Sequence, residues 1–358
     1  MKHFNFKTLS ILYFLFVIPT LYAQELLYLS SGETLEVKSI DPKSGTLHTI
    51  QSIKLKGISV FTFSRNKKFL YSKANIDEKK PSIATFKIDD DGKLTLIHNA
   101  AIIGRTTELK TDHTDRFLAG ANYGKGTASI WKLDKGVFKG ELVQEIILEK
   151  NAHAARFSPN NKFLFIPATG PNKIFQLAFD QKTGKLIEKS PAIGPPSGAA
   201  QPRHLVFHPS LNIAYSTQER KKPGVAVWRW NPSEGLELTQ TLTNNEDMSG
   251  RITNADLHIS PDKKFLYISS RDDQNKLDQI IAYKINAKNG RLTFSNKFPS
   301  EHFPRSFCLN KTGDFVFVAG QRDHKLGVYR INKTTGDLKK IIQYETGKNP
   351  IWVETLLF

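Results

Sequence analysis

Five residues of this chain combine proton-handling groups with fixed cations. His153 opens the segment Ala154-Ala155-Arg156-Phe157. Arg203 follows Pro202, and Arg305 follows Pro304 in a second Pro-Arg pair. Glu219 ends the run Ser216-Thr217-Gln218-Glu219, and Arg271 ends Ser269-Ser270-Arg271. An imidazole and a carboxylate can move protons near neutral pH. A guanidinium offers planar, charged donors to a carboxylate, a phosphate or the oxyanion formed when an ester carbonyl is attacked. Plainer readings stand beside these. A lone histidine is more often structural, and Glu219 precedes Arg220-Lys221-Lys222, where a surface ion pair is natural. His208 and His258 read as turn and strand residues. His204 should alternate to the face away from Arg203, because side chains along a strand alternate. Trp228 and Trp230 share a strand, so at least one is core, and Cys308 reads as a buried apolar residue.

The elements that must position these groups repeat. An apolar strand recurs every ~48 residues, starting at Leu26, Phe69, Phe117, Phe163, Ile213, Phe265 and Phe315. A second, alternating strand follows and runs into a glycine turn at Gly45, Gly92, Gly136, Gly184, Gly235, Gly290 or Gly336. Asp-Gly, Thr-Gly and Asn-Gly pairs at these turns are hairpin signals. A short strand precedes most copies, as in Ala154–Phe157, His204–Phe207 and Ala255–Ile259. Seven copies of a four-stranded antiparallel unit predict an all-β, seven-bladed propeller with few helices. The first copy lacks its inner strand, and a spare one remains at Pro350–Thr355. Pairing of the N- and C-terminal strands is therefore expected to close the ring and leave no free edge.

The N-terminus reads separately. Lys2 and Lys7 precede an apolar run, Leu9–Tyr22, then Ala23 and Gln24. That pattern predicts a signal peptide at 1–23, an exported (periplasmic or secreted) protein, and a propeller domain over 24–358. The run is short for a membrane span, which needs about 20 residues, so no membrane association is expected after cleavage. The single cysteine excludes an intrachain disulfide framework and multi-cysteine metal sites. Net charge is +17, but lysines are scattered through turns such as Lys67-Lys68, Lys221-Lys222, Lys263-Lys264 and Lys339-Lys340. Without clustered basic and aromatic residues, nucleic acid is not the expected partner. A basic surface that attracts small anions is.

The repeats lack the Gly-His and Trp-Asp marks of WD repeats and the double glycine of kelch repeats. Segments Asn151–Pro159, Gln201–Pro209, Ala255–Pro261 and Phe303–Phe307, with the closing Gly347–Val353, instead resemble the lactonase family of seven-bladed propellers. That family includes the propeller-type 6-phosphogluconolactonases and the carboxymuconate lactonizing enzymes. The resemblance implies that His153, Arg203, Glu219 and Arg271 are catalytic, with Arg305 as a further substrate-binding residue. It implies a carboxylic-ester hydrolase acting on a small anionic sugar or organic-acid lactone, 6-phosphogluconolactonase-like, with no cofactor. A leader weakens the phosphorylated assignment, because sugar phosphates are mainly cytoplasmic. Two alternatives stay open: a muconate-type lactonizing cycloisomerase, and a non-catalytic exported propeller that binds a protein or glycan. The acidic runs Asp89-Asp90-Asp91 and Asp272-Asp273 lack EF-hand spacing, so no metal is expected.

Overall fold

The computed structural model describes residues 1, 24–77, 79–193, 200–244 and 251–358. The expected signal peptide, 1–23, lies outside all of these except Met1. The described residues form 28 strands in seven four-stranded antiparallel sheets, and none is helical. Each sheet is one blade. The first blade has the order Pro350–Leu357, Glu25–Ser31, Thr34–Ile40, Leu47–Lys54. Leu26 pairs with Leu356 and Tyr28 with Glu354, so the C-terminal strand closes the ring as expected. Blades 2 to 7 follow in chain order at 61–101, 108–147, 156–193, 200–243, 252–299 and 304–345.

Burial explains the sequence pattern. A blade is packed on both faces by its neighbours, so its second strand has no polar side. Phe117–Asn122, Phe163–Ala168 and Phe315–Gly320 are buried at every position. The outermost strands, such as Leu338–Glu345, are mostly exposed along their length. Trp228 and Trp230 are both buried, packed with Phe163 and Phe165 of the preceding blade. Cys308 is buried among apolar residues.

The hairpin glycines fasten blade to blade. All seven have φ between 69° and 99°, a region that side chains disfavour. A Cβ at Gly92 would lie 2.2 Å from Leu26 Cδ1 of blade 1, and one at Gly136 would lie 2.2 Å from Phe69 of blade 2. Tyrosines of the preceding blade complete the latch. Tyr28, Tyr71, Tyr215 and Tyr267 donate to the carbonyls of Gly92, Gly136, Gly290 and Gly336 at 2.7 to 2.9 Å.

Two boundaries differ from the sequence reading. Blade 4's inner strand is only Arg156–Phe157, preceded by an isolated bridge between Ala152 and Ala168. Glu219 and Arg271 lie inside their strands, Ile213–Arg220 and Phe265–Asp272, rather than after them. Both are consequently buried.

Candidate active site

The inner strands start at one mouth of the central channel. Gly57, Gly104, Asn151, Gln201, Phe303 and Asn349 all have positive φ, and each lies two residues before an inward position. Those positions are Ser59, Thr106, His153, Arg203, Arg305 and Ile351. The sharp backbone turn aims one side chain per blade at the axis. A cavity of about 610 Å³ opens there, and its lining includes His153, Glu219, Arg271 and Arg305. Glu219 Oε1 lies 3.6 Å from Arg203 Nε, so Arg203 adjoins the cavity through that pair. All five residues singled out in the sequence are brought together.

Glu219 is the hub. Its Oε1 accepts from Arg271 Nη2 at 3.0 Å and lies 3.7 Å from Arg220 Nη2, while its buried Oε2 has no protein partner. Arg203 is 1% exposed, and its Nε and Nη1 have no hydrogen-bond acceptor. Arg271 also donates to the Asn254 carbonyl at 3.2 Å and lies over the Phe303 ring at 4.7 Å. Burial, then the Arg203 charge, pulls Arg271 down to about 9. Burial and the Arg305 charge likewise bring Arg203 to about 10. Arginines stay charged in proteins, so unpaired N–H groups here face a place where an anion would bind.

His153 is buried between two rings, Tyr123 at 5.7 Å and His204 at 5.0 Å between centroids. Its backbone N–H donates to Pro167 O at 2.8 Å, and its Nδ1 has no partner. Burial first, then Arg203, pushes its pKa well below 6.5. At neutral pH it is an uncharged imidazole, ready to accept a proton.

His204 corrects the sequence reading. Its ring lies 5.0 Å from that of His153 and 6.2 Å from that of Trp352 in blade 1, so it reaches the centre of the ring of blades, and the register shift between Pro202 and Leu205 interrupts strict alternation here. Its Nδ1 lies 4.0 Å from Glu108 Oε2, and Glu108 forms a buried ion pair with Arg156. Glu108, Arg156 and His204 thus form a polar cluster that the sequence reading does not contain. Pro202, at a strand start, was the available signal for a bulge. Tyr123 was also missed. Aligning the repeats at Phe117, Ile213 and Phe265 would have placed it level with Glu219 and Arg271. His208 is a turn residue as expected, its Nδ1 accepting from the N–H groups of Ser210 and Leu211. His258 pairs with Asp256 at 3.2 Å. Asp89 and Gly92 close a tight turn. Among the described residues, no three His, Cys, Asp or Glu side chains gather closely enough to hold a metal ion.

The buried histidines set a pH dependence of stability. The His204 pKa is pushed well below 6.5, by burial and then by Arg203. The unfolded chain therefore binds a proton that the folded chain refuses. Stability is full above about pH 6.5 and falls below it, by about 1.4 kcal/mol per pH unit for each such histidine. Glu108, raised by burial, acts in the opposite sense around and above its unfolded value. Urea unfolding of wild type and His204→Gln from pH 7 to 5 isolates one histidine's share. The two stability curves should converge as pH falls, and parallel curves would refute this account.

The seven-bladed β-propeller lactonase family profile matches residues 20–355. The chain belongs to that family. Among curated relatives of this lactonase-family chain, the 6-phosphogluconolactonase of Pectobacterium atrosepticum is 30% identical, covering 93% of this chain and 99% of the relative. That of Pectobacterium carotovorum is 29% identical, with the same coverage. A periplasmic gluconolactonase of Pseudomonas aeruginosa superposes with a TM-score of 0.85 at 22% identity, covering 93% of this chain and 99% of the other. At that identity the superposition speaks for the fold. The family implied by the residue segments is therefore the one found, and WD and kelch propellers are set aside.

Proposed function

We propose that this protein is an exported lactonase, 6-phosphogluconolactonase-like, that hydrolyses an anionic sugar or organic-acid lactone. The observation that carries the reading is the convergence of Arg203, Arg271 and Arg305 on one cavity beside a neutral His153 and a free Glu219 oxygen. A water held between His153 and Glu219 Oε2 attacks the lactone carbonyl carbon. His153 accepts its proton, and the arginines stabilise the oxyanion. Collapse of that oxyanion breaks the ring C–O bond. The imidazolium then returns its proton to the leaving alkoxide, giving the open hydroxy acid. Arg305 serves as a further substrate-binding residue beside the ester. Two observations support export: the leader pattern of Lys2, Lys7, Leu9–Tyr22 and Ala23, and the periplasmic gluconolactonase of the same fold.

The test starts from cell fractions. Full-length precursor is expressed, and mature protein beginning near Gln24 is expected outside the cytoplasm. That material is then assayed for proton release on phosphorylated and plain sugar lactones, corrected for spontaneous opening. Hydrolysis above background on at least one lactone is expected. No acceleration on any would favour a binding propeller, and an intact Met1 on cytoplasmic protein would refute export.

A further inference from the structure

The cavity carries more positive charge than the chemistry at Glu219 uses. Its lining includes seven cations, Lys73, Arg105, Lys125, Arg220, Arg251, Arg271 and Arg305, against the carboxylates Glu219 and Asp273. Both carboxylates are engaged. Glu219 is held by Arg203, Arg220 and Arg271. Asp273 lies 2.6 Å from Arg322 and 3.7 Å from Arg251. Lys73, Arg105 and Lys125 have no carboxylate within ion-pair distance among the described residues.

These three sit together and apart. Lys73 lies in the blade 2 strand Phe69–Asn75. Arg105 precedes the first strand of blade 3, and Lys125 lies in the turn between Phe117–Asn122 and Thr127–Asp134. Arg203, Arg271 and Arg305 come from blades 5, 6 and 7. In a closed ring of seven blades, the point facing blade 6 falls between blades 2 and 3. Lys73 is half-buried, and burial followed by the Arg105 charge disfavours its ammonium form. Two neighbouring cations in a partly desolvated cavity are unfavourable without an anion between them. The wall on this side also offers hydroxyl groups. Ser59 Oγ and Thr106 Oγ1 are buried, on residues 8% exposed, and have no hydrogen-bond partner. Buried polar atoms of this kind normally have one.

We infer that Lys73, Arg105 and Lys125 form a second anion subsite across the mouth from the catalytic arginines, and that it receives a phosphate monoester remote from the lactone ester. The inference rests on the lactonase reading and deepens it. The ester lies at Arg203 and Arg271, the sugar hydroxyls face Ser59 and Thr106, and the phosphate lies between Lys73 and Arg105. A dianion matches three uncompensated cations better than a single carboxylate does.

The experiment compares kcat/KM for 6-phosphogluconolactone, gluconolactone and a carboxylate-bearing aldaric acid lactone. It uses wild type, Arg105→Ala and the Lys73→Ala/Arg105→Ala double variant. Arg105 is exposed, so its single substitution tests the subsite without touching the core. Wild type should prefer the phosphorylated lactone over the plain one. That ratio should fall by roughly tenfold in the single variant and about a hundredfold in the double variant, as charge-assisted bonds are lost. An unchanged ratio, no wild-type preference, or a preference for the aldaric lactone would overturn the inference. Calorimetry with 6-phosphogluconate and with gluconate separates the two readings. If wild type hydrolyses nothing, the lactonase reading fails. Even then, tighter binding of the phosphorylated acid, lost in the double variant, sustains the subsite, and equal binding of both acids rejects it.

Discussion

Arg203→Ala lowers kcat/KM for the preferred lactone by a hundredfold or more while leaving the propeller folded. Arg203 is buried, with two N–H groups that find no acceptor in the protein. Donors already fixed in place need little reorganisation when the oxyanion forms. Removing one such donor typically raises the barrier by about 2.7–4 kcal/mol. The loss should appear mainly in kcat, because the charge develops in the transition state. Glu219 tolerates the change, since Arg271 still bonds Oε1 at 3.0 Å and Arg220 lies at 3.7 Å. Glu219→Gln should also reduce the rate, by roughly 10²-fold, because the carboxylate that positions the attacking water is lost. It is the less clean experiment. It removes the anion from among three guanidinium groups, and breaking a buried pair typically costs about 3–5 kcal/mol in stability. Steady-state kinetics with a thermal melt on the same samples separates the two effects. An Arg203→Ala enzyme within about threefold of wild type, well short of the rate loss typical of a missing oxyanion donor, would place the oxyanion elsewhere.

Ending the chain at Asn349 abolishes the cooperative fold. The lost segment supplies the innermost strand of blade 1, with Trp352, Val353 and Leu356 all buried. Burying side chains of this size contributes about 1.5–3 kcal/mol each. Their sum approaches the whole stability of an ordinary domain, about 5–15 kcal/mol. Truncation also strips Glu25–Ser31 of one partner and opens an edge for aggregation. Gel filtration and thermal melting of the truncated chain should show aggregate and no sharp transition. A monomer with a transition within about 1–2 °C of wild type, a shift of roughly 1 kcal/mol for a chain this long, would mean that the ring does not depend on its seam.

The blade count, the seam and the hairpins were legible because each rests on a local signal. Apolar runs mark strands packed on both faces, glycines mark positive φ, and the spare strand at Pro350 has one vacancy to fill. The site was legible only in part. His153, Arg203, Glu219, Arg271 and Arg305 follow from their places in the repeat and from the family they resemble. The inward reach of His204 is not legible in the sequence, because strict alternation holds only where the register does, and the register shifts after Pro202. The burial of Glu219 was hidden by its neighbours. Arg220, Lys221 and Lys222 look like surface, yet the strand runs to Arg220 and turns Glu219 toward the axis. Lys73, Arg105 and Lys125 are far apart in pattern terms, one in a strand and two in connections. Only closure of the ring makes them one group.

The glycine–tyrosine latches have a consequence for how the molecule comes apart. In an open array of repeats, the terminal units touch one neighbour each, so melting creeps inward from the ends. Here every blade has two neighbours, and each latched hairpin is seated on a side chain of the blade before it. Loosening one blade unseats the next around the circle, and there is no terminal unit at which fraying can start. The ring thereby binds the arginines of blades 5 to 7 and the cations facing them into a single cooperative unit. The charge-crowded mouth is held open by the whole circumference rather than by the strands that carry it.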